Sequence, residues 1–225
     1  MNENLDDFRD RIGLALCAKR YTDIISMYNH YLQTTNSILP IDRETLYLSY
    51  QKLIVDYNFK SYWKLISNEL NTDIQLKYLN SIENQIETLC KEIIEIIDNY
   101  FLASKLNNDF DIVYTLRQRG DFLFFHSSIS RPATRQIILQ SALRSYTEGV
   151  ERSRLTLPID EPERVLIQIR KCSCEVQLSN GLCPMNVYSE FNEVIDEMKR
   201  TISSHDHRLI IQMENYRQEL ENILC

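Results

Sequence analysis

The sequence predicts an all-α protein of about nine antiparallel helices. Three observations carry that expectation. Only 4 Gly and 5 Pro occur in 225 residues, too few for the glycine-dependent turns of a sheet protein. Apolar residues recur in steps of three and four along extended stretches, the mark of one buried face on a helix. Helix starts and stops punctuate the chain where those stripes begin and end.

The longest stripe runs from about Thr72 to Ser104, through Leu76, Leu79, Ile82, Ile86, Leu89, Ile93, Ile96, Ile97 and Tyr100, with Glu83, Glu87, Lys91 and Glu95 on the other side. Before it, Pro40-Ile41-Asp42 opens a helix that continues to about Asn68. Ser130-Arg131-Pro132 and Asp160-Glu161-Pro162 place proline in a first turn, where its missing N–H costs nothing. Ser179-Asn180-Gly181 closes the helix begun at Pro162. A further stripe starts at Pro184 with Val187, Phe191, Val194, Ile195 and Met198, and a last helix covers His207 to Leu224. The connections are short and no linker composition appears, so a single domain over residues 1–225 is expected, with no period of a tandem-repeat array.

Charge and composition narrow the function. A net charge of −7 argues against nucleic-acid binding, which needs a basic face. No apolar run approaches the roughly 18 residues of a membrane span. The start, MNENLDDFRD, is acidic rather than a signal peptide. Six cysteines without disulfide-scaffold spacing suit a reducing cytoplasm.

Enzyme signatures are absent: no glycine-rich phosphate loop, no Gly-x-Ser-x-Gly elbow, no His-Glu-x-x-His pair. His205-x-His207 and Cys172-x-Cys174 have metal-like spacing, but residues two apart on a helix point away from each other. A metalloenzyme using His205 and His207 is therefore a remote alternative, and no cofactor is expected. Arg119-Gly120-Asp121 lies in a helical pattern, where the glycine suits close helix approach better than an adhesion loop. It leads into an unbroken apolar run, Phe122-Leu123-Phe124-Phe125. Basic residues at helical spacing suggest anion binding: Lys52 and Lys60, Arg117, Arg170 and Arg217, since Lys and Arg are the donors suited to phosphate.

Two segments resemble the signatures of the 14-3-3 family. TLYLSYQKLIVDYNFKSYWKLIS, residues 45–67, is similar to the first, and YTEGVERSRLTLPIDEPERVLIQI, residues 146–169, to the second, with Tyr146, Glu148, Ser153, Pro162 and Arg164 in register. RQRGDFLFFHS, ETLCKEIIEII and RLIIQM match further family segments in the same order. The resemblance implies a TPR-like cup of nine helices with an amphipathic groove. It also implies a non-enzymatic dimeric adapter that binds phosphoserine or phosphothreonine segments.

Its residues transfer unevenly. The family holds phosphate with one Lys, two Arg and one Tyr. The Lys falls on Lys52 if one residue is inserted before Trp63, and on Leu53 otherwise. The first Arg falls on Lys60, the second on Phe124 and the Tyr on Phe125. Arg117 stands for a groove Lys, while Arg170 and Arg217 stand where two Asn would hold the peptide backbone. A groove Glu becomes Gln177 and a late Trp becomes Glu221; Ile169, Leu209, Ile210 and Met213 keep the apolar wall. Losing two donors to a charged group costs about 3–6 kcal/mol, or two to four decades of affinity. The pocket is therefore expected to be weakened, binding phosphorylated or acidic segments or no phosphate at all. For the homo- or heterodimer, the resemblance implies a contact through Leu14, Arg20, Asp23, Tyr62, Ile66 and Tyr78, with the family's charged partners replaced by Ser81 and Gln85.

Overall fold

A computed structural model describes residues 5–35, 43–67, 72–104, 108–201 and 207–222, and only the backbone of Thr35, Thr201, His207, Leu209 and Gln212. Among these residues the chain is helical throughout, with no extended strand. It divides into two compact units, Met1–Ser104 and Lys105–Cys225.

The first unit contains α1 (Leu5–Cys17), α2 (Tyr21–Thr35), α3 (Arg43–Gln51), α4 (Lys60–Ser67) and α5 (Asp73–Ile96). A π-helical stretch, Lys52–Phe59, joins α3 to α4 in one continuous rod, and a shorter one, Ile97–Phe101, extends α5. The expected opening at Pro40-Ile41-Asp42 lies outside the described residues. Thr72 starts α5 with a reciprocal capping box: its hydroxyl accepts from the Gln75 N–H, and the Gln75 side chain accepts from the Thr72 N–H. The α5 stripe is buried only from Ile82 onward; Leu76, with Ile74 and Tyr78 beside it, stays exposed. Aromatic rings fill the core between α1 and α2, where Phe8 meets Tyr28 edge-on and stacks on Tyr31. Leu46, Tyr47, Tyr50 and Ile54 bury the inner face of the long rod.

The second unit contains α6 (Asp109–Ile129), α7 (Pro132–Thr156), α8 (Pro162–Leu178), α9 (Met185–Thr201) and α10 (His207–Glu221). Merging α3 and α4 into one rod gives nine continuous helices among the described residues. Proline occupies the first turns of α7 and α8. After α8 the chain turns through Asn180 and Gly181, both at positive φ, and the Gly181 N–H bonds the Val176 carbonyl. Gly120 permits the close packing of α6 on α7: a Cβ there would stand 2.3 Å from the Tyr146 ring. The α8–α10 core gathers Cys172, Phe191, Ile195, Met198, Met213 and Leu220.

The Cys172-x-Cys174 pair splits as helical geometry requires. Cys172 enters that core, while Cys174 faces α7 and its thiol donates to the Leu139 carbonyl. Burial pushes both thiols up to about 12, so they are protonated packing groups. No group of three metal-ligating side chains occurs among the described residues. His205 and the His207 side chain lie outside them, as does Cys225. No described helix is long and apolar enough to cross a membrane.

Candidate functional site

The expected anion set falls in both units, and each half has its own geometry. In the first unit, Lys52 begins the π-helical stretch and Lys60 begins α4. A π-helix closes i→i+5 bonds and so holds an extra residue per turn. The resemblance puts the family lysine on Leu53, or on Lys52 with one residue inserted before Trp63, and a turn of this kind has room for such an insertion. The Asn58 amide donates to the Leu53 carbonyl at 2.9 Å, satisfying an acceptor in the widened turn. Each four residues from Asp56 along the rod, both ammonium groups reach one carboxylate. Lys52 Nζ lies 2.9 Å from Asp56 Oδ2 and Lys60 Nζ 3.0 Å from Asp56 Oδ1. Hydrogen bonds from Lys52 and then Lys60 hold Asp56 below the ordinary carboxylate range, and the Lys52 pKa rises in turn.

In the second unit, α6 presents the apolar run. Phe122 and Leu123 are buried; Phe124 and Phe125 are half-buried hydrocarbon with no donor to offer an anion. Asp121, one turn before Phe125, is buried at the centre of a polar cluster. It accepts from Tyr146 Oη at 2.8 Å and from Arg117 Nη1 at 3.0 Å, and Arg170 Nε lies 3.3 Å away. Arg117 also donates twice to Glu163, at the start of α8. Burial opposes the Arg117 charge, but Glu163 and Asp121 outweigh it, so its pKa sits above the ordinary value. Burial pushes the Glu163 carboxyl up despite Arg117. Arg217, on α10, pairs with Glu214 at 2.7 Å and lies 3.7 Å from Glu221. Each basic residue expected to bind an anion thus holds a carboxylate of its own unit.

The expected groove wall is mixed. Ile169 and Ile210 are half-buried, and Gln177 accepts from Arg135 at 2.7 Å. Met213 is 0% exposed in the α8–α10 core, so it backs a surface instead of lining one. The Leu209 side chain lies outside the described residues. Of the expected dimer contacts, Leu14 is 71% exposed, and Ile66 and Tyr78 are also exposed. Tyr62, at 8%, is instead tucked into its own unit against Phe59 and Trp63, because its position on α4 turns it inward. Arg20 and Asp23 pair with each other at 2.6 Å. They share a cleft of about 1120 Å³ with Ser81 and Gln85, whose walls also carry Lys19, Lys77, Leu53 and Leu89.

The family profile described as "14-3-3 protein" matches residues 11–169. The chain belongs to the 14-3-3 family. It is 21% identical over 221 residues to the 14-3-3 protein beta/alpha-1 of Oncorhynchus mykiss, covering 92% of this chain and 89% of that one. It is also 21% identical over 226 residues to the 14-3-3 protein beta/alpha of Rattus norvegicus, covering 95% and 90%. As a divergent 14-3-3 protein it is a non-enzymatic member of an adapter family that binds phosphorylated protein segments and forms dimers. The metalloenzyme alternative is set aside on that ground.

Sequence reasoning missed the carboxylates. Asp56 was readable, since Lys52, Asp56 and Lys60 follow at steps of four, the spacing of helical ion pairs. Glu163, 46 residues from Arg117, carried no local signal.

Proposed function

We propose that this 14-3-3 chain is a dimerising cytoplasmic adapter for phosphorylated or acidic protein segments, with a weakened phosphate pocket. The reading takes both units as one 14-3-3 domain whose groove includes Lys52, Lys60, Arg117, Phe124, Phe125, Arg170 and Arg217, as the family resemblance implies. The observation that carries it is the pair Phe124 and Phe125, hydrocarbon where phosphate donors would stand. The self-pairing of Arg170 and Arg217 supports it further: an incoming anion must share those guanidiniums with Asp121, Glu214 and Glu221. A second reading, a dimerising scaffold that no longer recognises phosphate, draws on the same observation.

Calorimetry with a phosphoserine peptide and its unphosphorylated twin separates the two. Affinity weaker than low-micromolar, but dependent on phosphate, is expected; equal affinity for both peptides supports the scaffold. Phe124→Arg with Phe125→Tyr is expected to tighten phosphopeptide binding at least tenfold, each restored charged hydrogen bond contributing about 1.5–3 kcal/mol. Low-micromolar binding by the unmodified protein would overturn the weakened pocket. If Arg170→Asn and Arg217→Asn each left phosphopeptide affinity unchanged, neither arginine would belong to the site.

A further inference from the structure

We propose that Asp56 is a resident ligand of the Lys52–Lys60 pair, so that this subsite admits a phosphate only in exchange for an internal carboxylate. The inference rests on the adapter reading for its biological ligand, but its geometry lies wholly in the first unit.

Three features of the long rod build the device. Two successive steps of four residues along the rod bring Lys52 and Lys60, eight residues apart, to one carboxylate. Each lysine takes a different oxygen of Asp56, at 2.9 and 3.0 Å, so the carboxylate bridges the ammonium groups as an incoming anion's oxygens would. All three side chains keep solvent access: 41% for Lys52, 32% for Asp56 and 70% for Lys60. The bridge can therefore open without disturbing the core, and a ligand can reach it.

The exchange is chemically balanced in the ligand's favour only when the ligand carries enough charge. An ammonium has three donors and Asp56 uses one on each lysine, leaving two on each. A phosphate monoester brings three acceptor oxygens and a charge of about −1.5 to −2. It can engage the spare donors first and then displace Asp56. A free carboxylate offers nothing that Asp56 does not already supply at the high effective concentration of a tethered group. Both lysines hold Asp56 ionised well below neutral pH, so the bridge is present throughout the physiological range. Asp56 raises the affinity that any anion must reach before it occupies the subsite.

The test is an NMR titration with inorganic phosphate, read at the amides of residues 52–60, on the full chain. The unmodified protein is compared with Asp56→Asn and with Asp73→Asn. The second removes the same charge from an exposed position that bonds neither lysine. Opening two exposed ion pairs predicts phosphate binding about three- to tenfold tighter in Asp56→Asn, with Asp73→Asn unchanged. Lys60→Gln added to Asp56→Asn is expected to cancel the gain. Phosphate binding no tighter in Asp56→Asn, or tightened equally by Asp73→Asn, overturns the proposal. The same proteins are then titrated with the phosphoserine peptide. Phosphate tightening without peptide binding in any variant leaves the resident carboxylate standing and overturns the adapter reading. Peptide binding that is unaffected by Asp56→Asn does the reverse.

Discussion

At the scale of single residues, two glycines make the same kind of contact with different consequences. A Cβ on Gly120 would sit 2.3 Å from the Tyr146 ring, and one on Gly149 would sit 2.1 Å from the Ile167 terminal methyl. The ring cannot retreat freely, because its hydroxyl is bonded to the buried Asp121; the methyl can change rotamer. Gly→Ala within a helix otherwise gains about 0.5–1 kcal/mol, while overpacking costs about 1–3 kcal/mol. Gly120→Ala is therefore expected to lower Tm by several degrees, and Gly149→Ala to change it less, as calorimetric melting of both variants will show. A larger loss for Gly149→Ala would mean that Tyr146 is the softer neighbour. The close approach at Gly120 was legible in the sequence as a glycine inside a helical pattern. The apolar run ending in Phe124 and Phe125 was legible too, and the resemblance implies that those two stand in place of donors. The buried cluster of Asp121, Tyr146, Arg117 and Glu163 was not, because its members come from three helices and each is unremarkable in its own stretch.

At the scale of the element, the rod from Arg43 to Ser67 shows what periodicity reads well and what it misses. A continuous helix over this range was expected and found, but the 3.6-residue template gives no hint of a turn with a different period. Ile54 and Phe59 are both buried though five residues apart, a spacing that a regular α-helix would place about 140° around its axis. The π-helical stretch brings them back to one face. Deleting Val55 would leave them four apart and the two lysines seven apart, both in phase on an ordinary α-helix. A Val55 deletion is therefore expected to fold with Tm within a few degrees of the parent. Deleting Leu48 from the α-helical part instead turns one half of the rod against the other by about 100° and is expected to unfold it. Circular dichroism melts of the two deletions decide the matter; equal damage from both would show that the π turn is not where the extra residue is absorbed.

At the scale of the whole molecule, the expected dimer depends on apolar burial more than on charge. Arg20 and Asp23 already satisfy each other at 2.6 Å, and Ser81 and Gln85 offer no formal charge across the cleft they share. Little Coulomb attraction between subunits is left for salt to screen. Leu14, Ile66 and Tyr78 supply exposed hydrocarbon instead. Sedimentation is expected to give a dimer whose dissociation constant changes less than about threefold between low and high ionic strength. A monomer at tens of micromolar, or a dimer that dissociates on adding salt, would overturn this interface.

The exposed hydrocarbon on the first unit has a consequence for the living cell. A subunit that shows Leu14, Ile66, Ile74, Leu76 and Tyr78 to water presents the kind of surface that chaperones and proteases use to recognise unfinished proteins. The proposed dimer would hide those of them that lie in the contact. Subunits left unpaired are then expected to be degraded, so that the steady-state abundance of this chain follows the fraction that pairs.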